Sequence, residues 1–200
     1  MSNEKNKPIT IYSFNRQLIS TRIFSTRVNY IIDVELDDEN HTLKGMEYID
    51  YANNSPNDLE FLWFHIWPNA YKNNTTALAK QKLEDGSTSI HYATEEEKGY
   101  INGLDFKVDG ERVKWDYHPE HIDICKLLLN KPLKAGQSIR ISTPFFVKIP
   151  DAKFSRLGHV EQSYMITQWY PKPAVYDKDG WHPMPYLDQG EFYSEFGSFD

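Results

Sequence analysis

The chain has 200 residues, enough for one large domain or two small ones with a sizeable core, and a net charge of −7. That balance, without basic clustering, excludes a nucleic-acid platform. Cys125 is the only cysteine, which excludes an internal disulfide, and no apolar run reaches membrane-spanning length.

Residues 1–20 read as a polar N-terminal extension with no apolar signal-peptide core. The chain as given is therefore expected to be soluble: cytoplasmic, or periplasmic or secreted if its N-terminus has been trimmed. From Val28 to Leu36 apolar and polar residues alternate as in a half-buried strand. Asp37 to Asn40 make a turn. Thr42 to Tyr51 return, with Leu43, Ile49 and Tyr51 in one register and Met46 and Tyr48 in the other. Asn53 to Asn57 turn the chain again. Leu59 to Trp67 is apolar on both faces, which marks a central, covered strand.

Ala77 to Leu83 is the one convincing helical patch, and Glu95 to Lys98 read as a solvated surface. Three strand-like runs follow: Leu104 to Val108, Arg112 to His118 and His121 to Leu129. Asp109-Gly110 is a strong hairpin turn between the first two. Cys125 lies in the alternating stretch HIDICKLLL and reads as a buried, inert thiol. Ala135-Gly136 turns the chain into Ser138 to Val147, and Asp151 to Val160 reads as loop. Short strands with turn signals between them predict an all-β fold, a saddle-shaped sandwich of mostly antiparallel strands.

Tyr164 to Phe199 breaks this pattern. It is crowded with aromatic side chains, and Pro171, Pro173, Pro183 and Pro185 bar a long helix or an interior strand. It is expected to form a rigid, irregular shelf between a strand ending near Gln168 and another beginning near Glu191. So many rings must be covered. The shelf is either a packed connection or the rim of a binding cleft.

No complete catalytic set is visible. His118-Pro-Glu-His121 is not the HExxH arrangement, because its histidines are three apart and Pro119 disfavours an interior helical turn. It reads as a surface turn, with a metal site as the lesser alternative. His65 in its apolar strand reads as a hydrogen-bonded core histidine. His159 and His182 flank the shelf at no fixed distance. Asp177 to Gly180 starts like a calcium loop but lacks the remaining ligands, and reads as a turn. Glu191 and Glu195, four apart, are weak grounds for acid–base work. There is no Gly-rich phosphate loop and no GxSxG.

Two segments carry a resemblance. YIIDVELDDENHTLKGMEYIDYANNSPNDLEFLWFHIWPNAY and SYMITQWYPKPAVYDKDGWHPMPYLDQGEFYSEFGSFD together resemble the N-terminal β-domain of aminopeptidase N-type zinc metallopeptidases, in a Bacteroidetes-like branch. The resemblance covers 21–200 and implies a saddle-shaped β-domain packed on a thermolysin-like catalytic domain of the same polypeptide. That domain would supply the zinc, through HExxH and a distant Glu, and the Gly-x-Met-x-Asn loop. Those motifs are absent here, so the chain is expected to be a fragment truncated at its C-terminal end, without a cofactor of its own and inactive alone.

In this family the N-terminal domain lends a Thr-Gln-x-(Glu/Gln) string to the substrate's free α-amine. The matching string is Thr167-Gln168-Trp169-Tyr170, which makes Gln168 and Tyr170 the expected substrate-binding residues and a peptide the expected partner. Tyr170 departs from the usual Glu or Gln: a phenol accepts a hydrogen bond but is uncharged near neutral pH. A different substrate-end preference, or a carboxylate supplied from elsewhere, is then open. The rival reading is a free-standing β-sandwich module whose aromatic shelf grips a peptide or a sugar.

Overall fold

The computed structural model describes residues 27–195 and 197–200; the expected extension over 1–20 lies outside them. The first two strands, β1 (Arg27–Asp37) and β2 (Thr42–Ala52), pair antiparallel along their full length, with Val28 opposite Tyr51 and Leu36 opposite Leu43. This register follows from the alternation on both strands, because a slip of one residue would turn the buried set to solvent. The inward set includes Val28, Tyr30, Leu43, Ile49 and Tyr51.

After a bulge between Leu59 and Phe61, β3 (Leu59–His65) runs through the middle of a second sheet, as its two apolar faces predict. Leu62 and Phe64 are fully buried on one face. The other is covered in part by Trp181, 6.1 Å from Phe61 between ring centroids, and by the Lys126 ammonium above Phe61. The strand ends at His65 rather than at Trp67. Pro68 has no N–H for a ladder but suits a helix start, and Trp67–Tyr71 form a 3-10 turn.

Helix α1 (Ala77–Glu84) is capped by Thr76, whose hydroxyl accepts from the Ala79 N–H at 3.2 Å. Then come β4 (Tyr100–Asn102), β5 (Lys107–Val108), β6 (Glu111–Arg112) and β7 (Lys114–Tyr117). Asp109 and Gly110 both have positive φ, 50° and 86°, as a two-residue hairpin turn requires. The long strands β8 (Ile124–Leu133) and β9 (Ser138–Lys148) complete the two main sheets. One is ordered β1-β2-β9-β5-β6, with β4 also on β9; the other is ordered β12-β3-β8-β7, in which β12 is Lys172–Pro173. Their inner faces share one core, where Phe64 meets Phe106 edge to face. The architecture is all-β, antiparallel and multi-sheet, consistent with a β-sandwich.

Two small hairpins flank this core: β10 (Gly158–Val160) with β11 (Ser163–Met165), and β13 (Val175–Asp177) with β14 (Gly180–His182). The stretch read as loop thus holds a strand at its end, and Asp177 to Gly180 is the turn of a hairpin. Two expectations about the shelf are corrected. The strand before it stops at Met165, and Gln168 has φ 54°, so Gln168 and Tyr170 do not share a strand face. No strand begins at Glu191; instead Tyr30 and Phe199 form a parallel bridge, and the Tyr30 N–H donates to the Ser198 carbonyl at 2.9 Å. No helix among the described residues is long and apolar enough to cross a membrane.

Candidate binding site

The shelf is packed more than it is open. Tyr186 is fully buried between Trp67 and Tyr71, and its N–H donates to Asp123 Oδ2 at 2.7 Å. Burial pushes the Asp123 carboxyl up to about 6, although that hydrogen bond pulls it down. The indole N–H of Trp67 donates to the Met184 carbonyl at 3.0 Å, and Phe192 lies 4.7 Å from the Trp67 ring. At the far end Asp188 joins Lys82 and Ser155, each at 2.5 Å. For most of its length this is the packed-connection alternative.

The exception is residues 168–172. Pro171 and Pro173 flank Lys172, which lies on the short strand β12 opposite His65 of β3. This strand forms the edge of its sheet, where prolines are tolerated. Lys172 is only 5% exposed. Its ammonium donates to Gln168 Oε1 at 2.6 Å and to Ser194 Oγ at 2.9 Å, and lies 4.2 Å above the Trp67 ring. These partners are all neutral, and no carboxylate among the described residues pairs with it. Burial lowers its pKa to about 8.

His65 is 1% exposed and stacks on Trp67 at 4.3 Å. Burial, and then the Lys172 charge, bring its pKa down to about 3 against a smaller upward pull from the His182 backbone, so the ring is neutral. Its Nε2 accepts from the Met184 N–H at 3.2 Å, which assigns the proton to Nδ1. Nδ1 is buried and has no hydrogen-bond partner among the described residues. His65 is therefore a core histidine satisfied at one nitrogen only.

Tyr170 lies on the other side of the segment, half-buried in a ring cluster. Its centroid is 5.4 Å from Tyr30, 5.3 Å from Trp169 and 5.9 Å from Phe199. Burial, then the nearby Glu47, push its phenol up to about 12, so it stays neutral at physiological pH. Glu47 itself was not singled out from the sequence. It is fully buried on β2, with neither carboxyl oxygen hydrogen-bonded among the described residues, and burial holds its pKa well above the usual carboxylate range.

The remaining sequence candidates stay apart. His118 and His121 stack at 5.1 Å in a turn, His159 stacks on His41 at 3.6 Å, and His182 accompanies Asp177 at 2.8 Å. Among the described residues no three His, Cys, Asp or Glu side chains converge as a metal site would need. Cys125 is fully buried, and burial pushes its thiol far up.

No protein-family model and no curated protein matches the chain. Among solved structures, the M1 zinc metallopeptidase of Deinococcus radiodurans is similar to 64% of this chain at 11% identity, with a TM-score of 0.36. A structure of a two-domain M1 zinc metallopeptidase mutant bound to L-tryptophan gives 12% identity over 64% of this chain and the same TM-score of 0.36. An aminopeptidase N family protein from Idiomarina loihiensis is similar to 66% of it at 13% identity, with a TM-score of 0.29. The chain spans only 20%, 21% and 16% of those three proteins. It is thus an all-β domain distantly similar to a part of M1 zinc metallopeptidases, and neither an activity nor a site follows from that likeness.

Proposed function

We propose that the chain is a non-catalytic β-domain of a zinc aminopeptidase-like enzyme. It walls the substrate cleft and meets the free N-terminus of a peptide with Gln168 and Tyr170. The zinc, the general base and the bond-breaking chemistry belong to a catalytic domain of the same polypeptide, so the reading frame is expected to continue past Asp200 into HExxH. The motif resemblance of TQWYPKPAVYD suggests this role. The observation that carries it is the orientation of Gln168, whose amide oxygen already accepts from an ammonium, that of Lys172, at 2.6 Å. An amide oxygen has a second lone pair, which leaves Gln168 able to accept from a second donor.

Titration of the chain with alanyl-alanine amide and with its N-acetylated form tests the reading. A free amine should bind at least about tenfold more tightly than the blocked peptide, a difference of ~1.4 kcal/mol. Tyr170→Glu, which adds a carboxylate, should widen that gap by ~1–2 kcal/mol, and Tyr170→Phe should narrow it. Equal affinity for the two peptides, or a gap that neither substitution moves, refutes the assignment.

A further inference from the structure

We propose that Lys172 and His65 form a carboxylate-binding subsite beside Gln168. The inference stands apart from the amine reading, and either can fail without the other.

Its basis is an excess of donors. The Lys172 ammonium has three N–H groups, of which two go to Gln168 and Ser194. The third meets no hydrogen-bond acceptor among the described residues. His65 holds a second unspent donor, Nδ1–H, in a ring that is 1% exposed. Lys172 and His65 are directly opposed on β12 and β3, so their side chains leave the same face of the sheet, with Cβ atoms roughly 5 Å apart. Both groups also lie against the Trp67 ring, the His65 ring at 4.3 Å and the Lys172 ammonium at 4.2 Å, and a pair of donors suits an acceptor-only group with two oxygens, which is a carboxylate.

Charge points the same way. A cation this buried is ordinarily matched by an anion, and the groups around Lys172 are an amide, a hydroxyl and an indole face. The indole supports the cation without neutralising it. A carboxylate would satisfy the donors and cancel the charge. Ser194, which is exposed, holds the ammonium from the solvent side and marks where such a group would approach.

The carboxylate can come from an acidic side chain or from a peptide C-terminus. Calorimetric titration of the chain with N-acetyl-aspartate amide, N-acetyl-glycine, N-acetyl-asparagine amide and glycinamide separates these sources. At pH 7 at least one of the two carboxylates should bind at least about tenfold more tightly than the neutral asparagine compound. The tighter of the two names the source. Lys172→Met should abolish that preference. Should this variant not fold, the wild-type chain at pH 9.5 serves instead: with Lys172 at about 8 and His65 already neutral, carboxylate affinity should fall about thirtyfold. Equal affinity for the aspartate and asparagine compounds, with no gain for acetyl-glycine, overturns the subsite. Carboxylate binding that survives both Lys172→Met and pH 9.5 overturns it as well. Uptake of glycinamide alone overturns it while upholding the amine reading, and uptake of a carboxylate without glycinamide does the reverse.

Discussion

Replacing Glu47 by Gln should stabilise the protein, and by an amount that grows with pH. Glu47 sits on β2 between Ile32 of β1 and Thr143 of β9, with no exposed surface and, among the described residues, no hydrogen bond to either oxygen. Burial holds its native pKa well above that of an ordinary glutamate, so the folded protein keeps it protonated and neutral. In the unfolded chain the same group ionises near the ordinary glutamate value, about 4.3. Above that pH the unfolded state has shed a proton that the native state retains. The stability contributed by Glu47 is therefore complete below the unfolded pKa and is lost as pH rises toward the raised native value. The slope is about 1.4 kcal/mol per pH unit. Glutamine is nearly isosteric and does not titrate. Urea unfolding of both proteins at pH 4, 5, 6 and 7 should give equal stabilities at pH 4 and a widening advantage for Glu47→Gln above it. For a chain of this size the advantage corresponds to ~3–5 °C in Tm per pH unit. Asp123, which is shifted in the same direction, is present in both proteins and cancels in the difference. Parallel stability curves would show that Glu47 is ionised in the native state, and the reasoning would be wrong.

Two further outcomes probe the core. Cys125, fully buried on β8 with its thiol pushed far up, should resist iodoacetamide in the native protein and react fully in urea; native-state labelling at the rate of a free thiol would contradict its placement. Gly45→Ala would place a Cβ 2.4 Å from the Asp33 carbonyl oxygen and 2.5 Å from Phe145 Cζ, and should cost about 1–3 kcal/mol in urea unfolding; an unchanged midpoint would mean that the strands separate there freely.

Local rules made much of the fold legible. Alternation over Val28 to Leu36 and Leu43 to Tyr51 fixes which faces of β1 and β2 are buried, and Asp109-Gly110 carries its own turn geometry. Glu47 was also within reach. It shares the period-two register of Leu43, Ile49 and Tyr51, so the alternation places a carboxyl on the core face. Lys172 was not legible. A lysine between two prolines suggests a surface turn, and its burial depends on pairing with His65 over a hundred residues earlier. The strand expected to reach Gln168 stops short of it for a related reason. Nothing in TQWY announces the left-handed backbone of Gln168, which a non-glycine residue adopts only where its surroundings hold it.

These departures from local rules concentrate on one segment. Glu47 acts on Tyr170 from one side, as a buried acid with no hydrogen bond among the described residues. Lys172 is tied to Gln168 on the other, as a buried base with no counter-ion among the described residues. Paired with each other, the two would form a buried salt bridge, but each stands alone at the cost of its own desolvation. Gln168 adds a strained backbone and His65 an unsatisfied ring nitrogen. A domain selected for stability alone would fill such positions with Leu, Phe or a paired amide. Asp123 under Tyr186 is one comparable case along the shelf, but four such groups meet in or against residues 168–172. Function, in this reading, resides at that point in the fold, and not in the aromatic rings that make the surrounding sequence conspicuous.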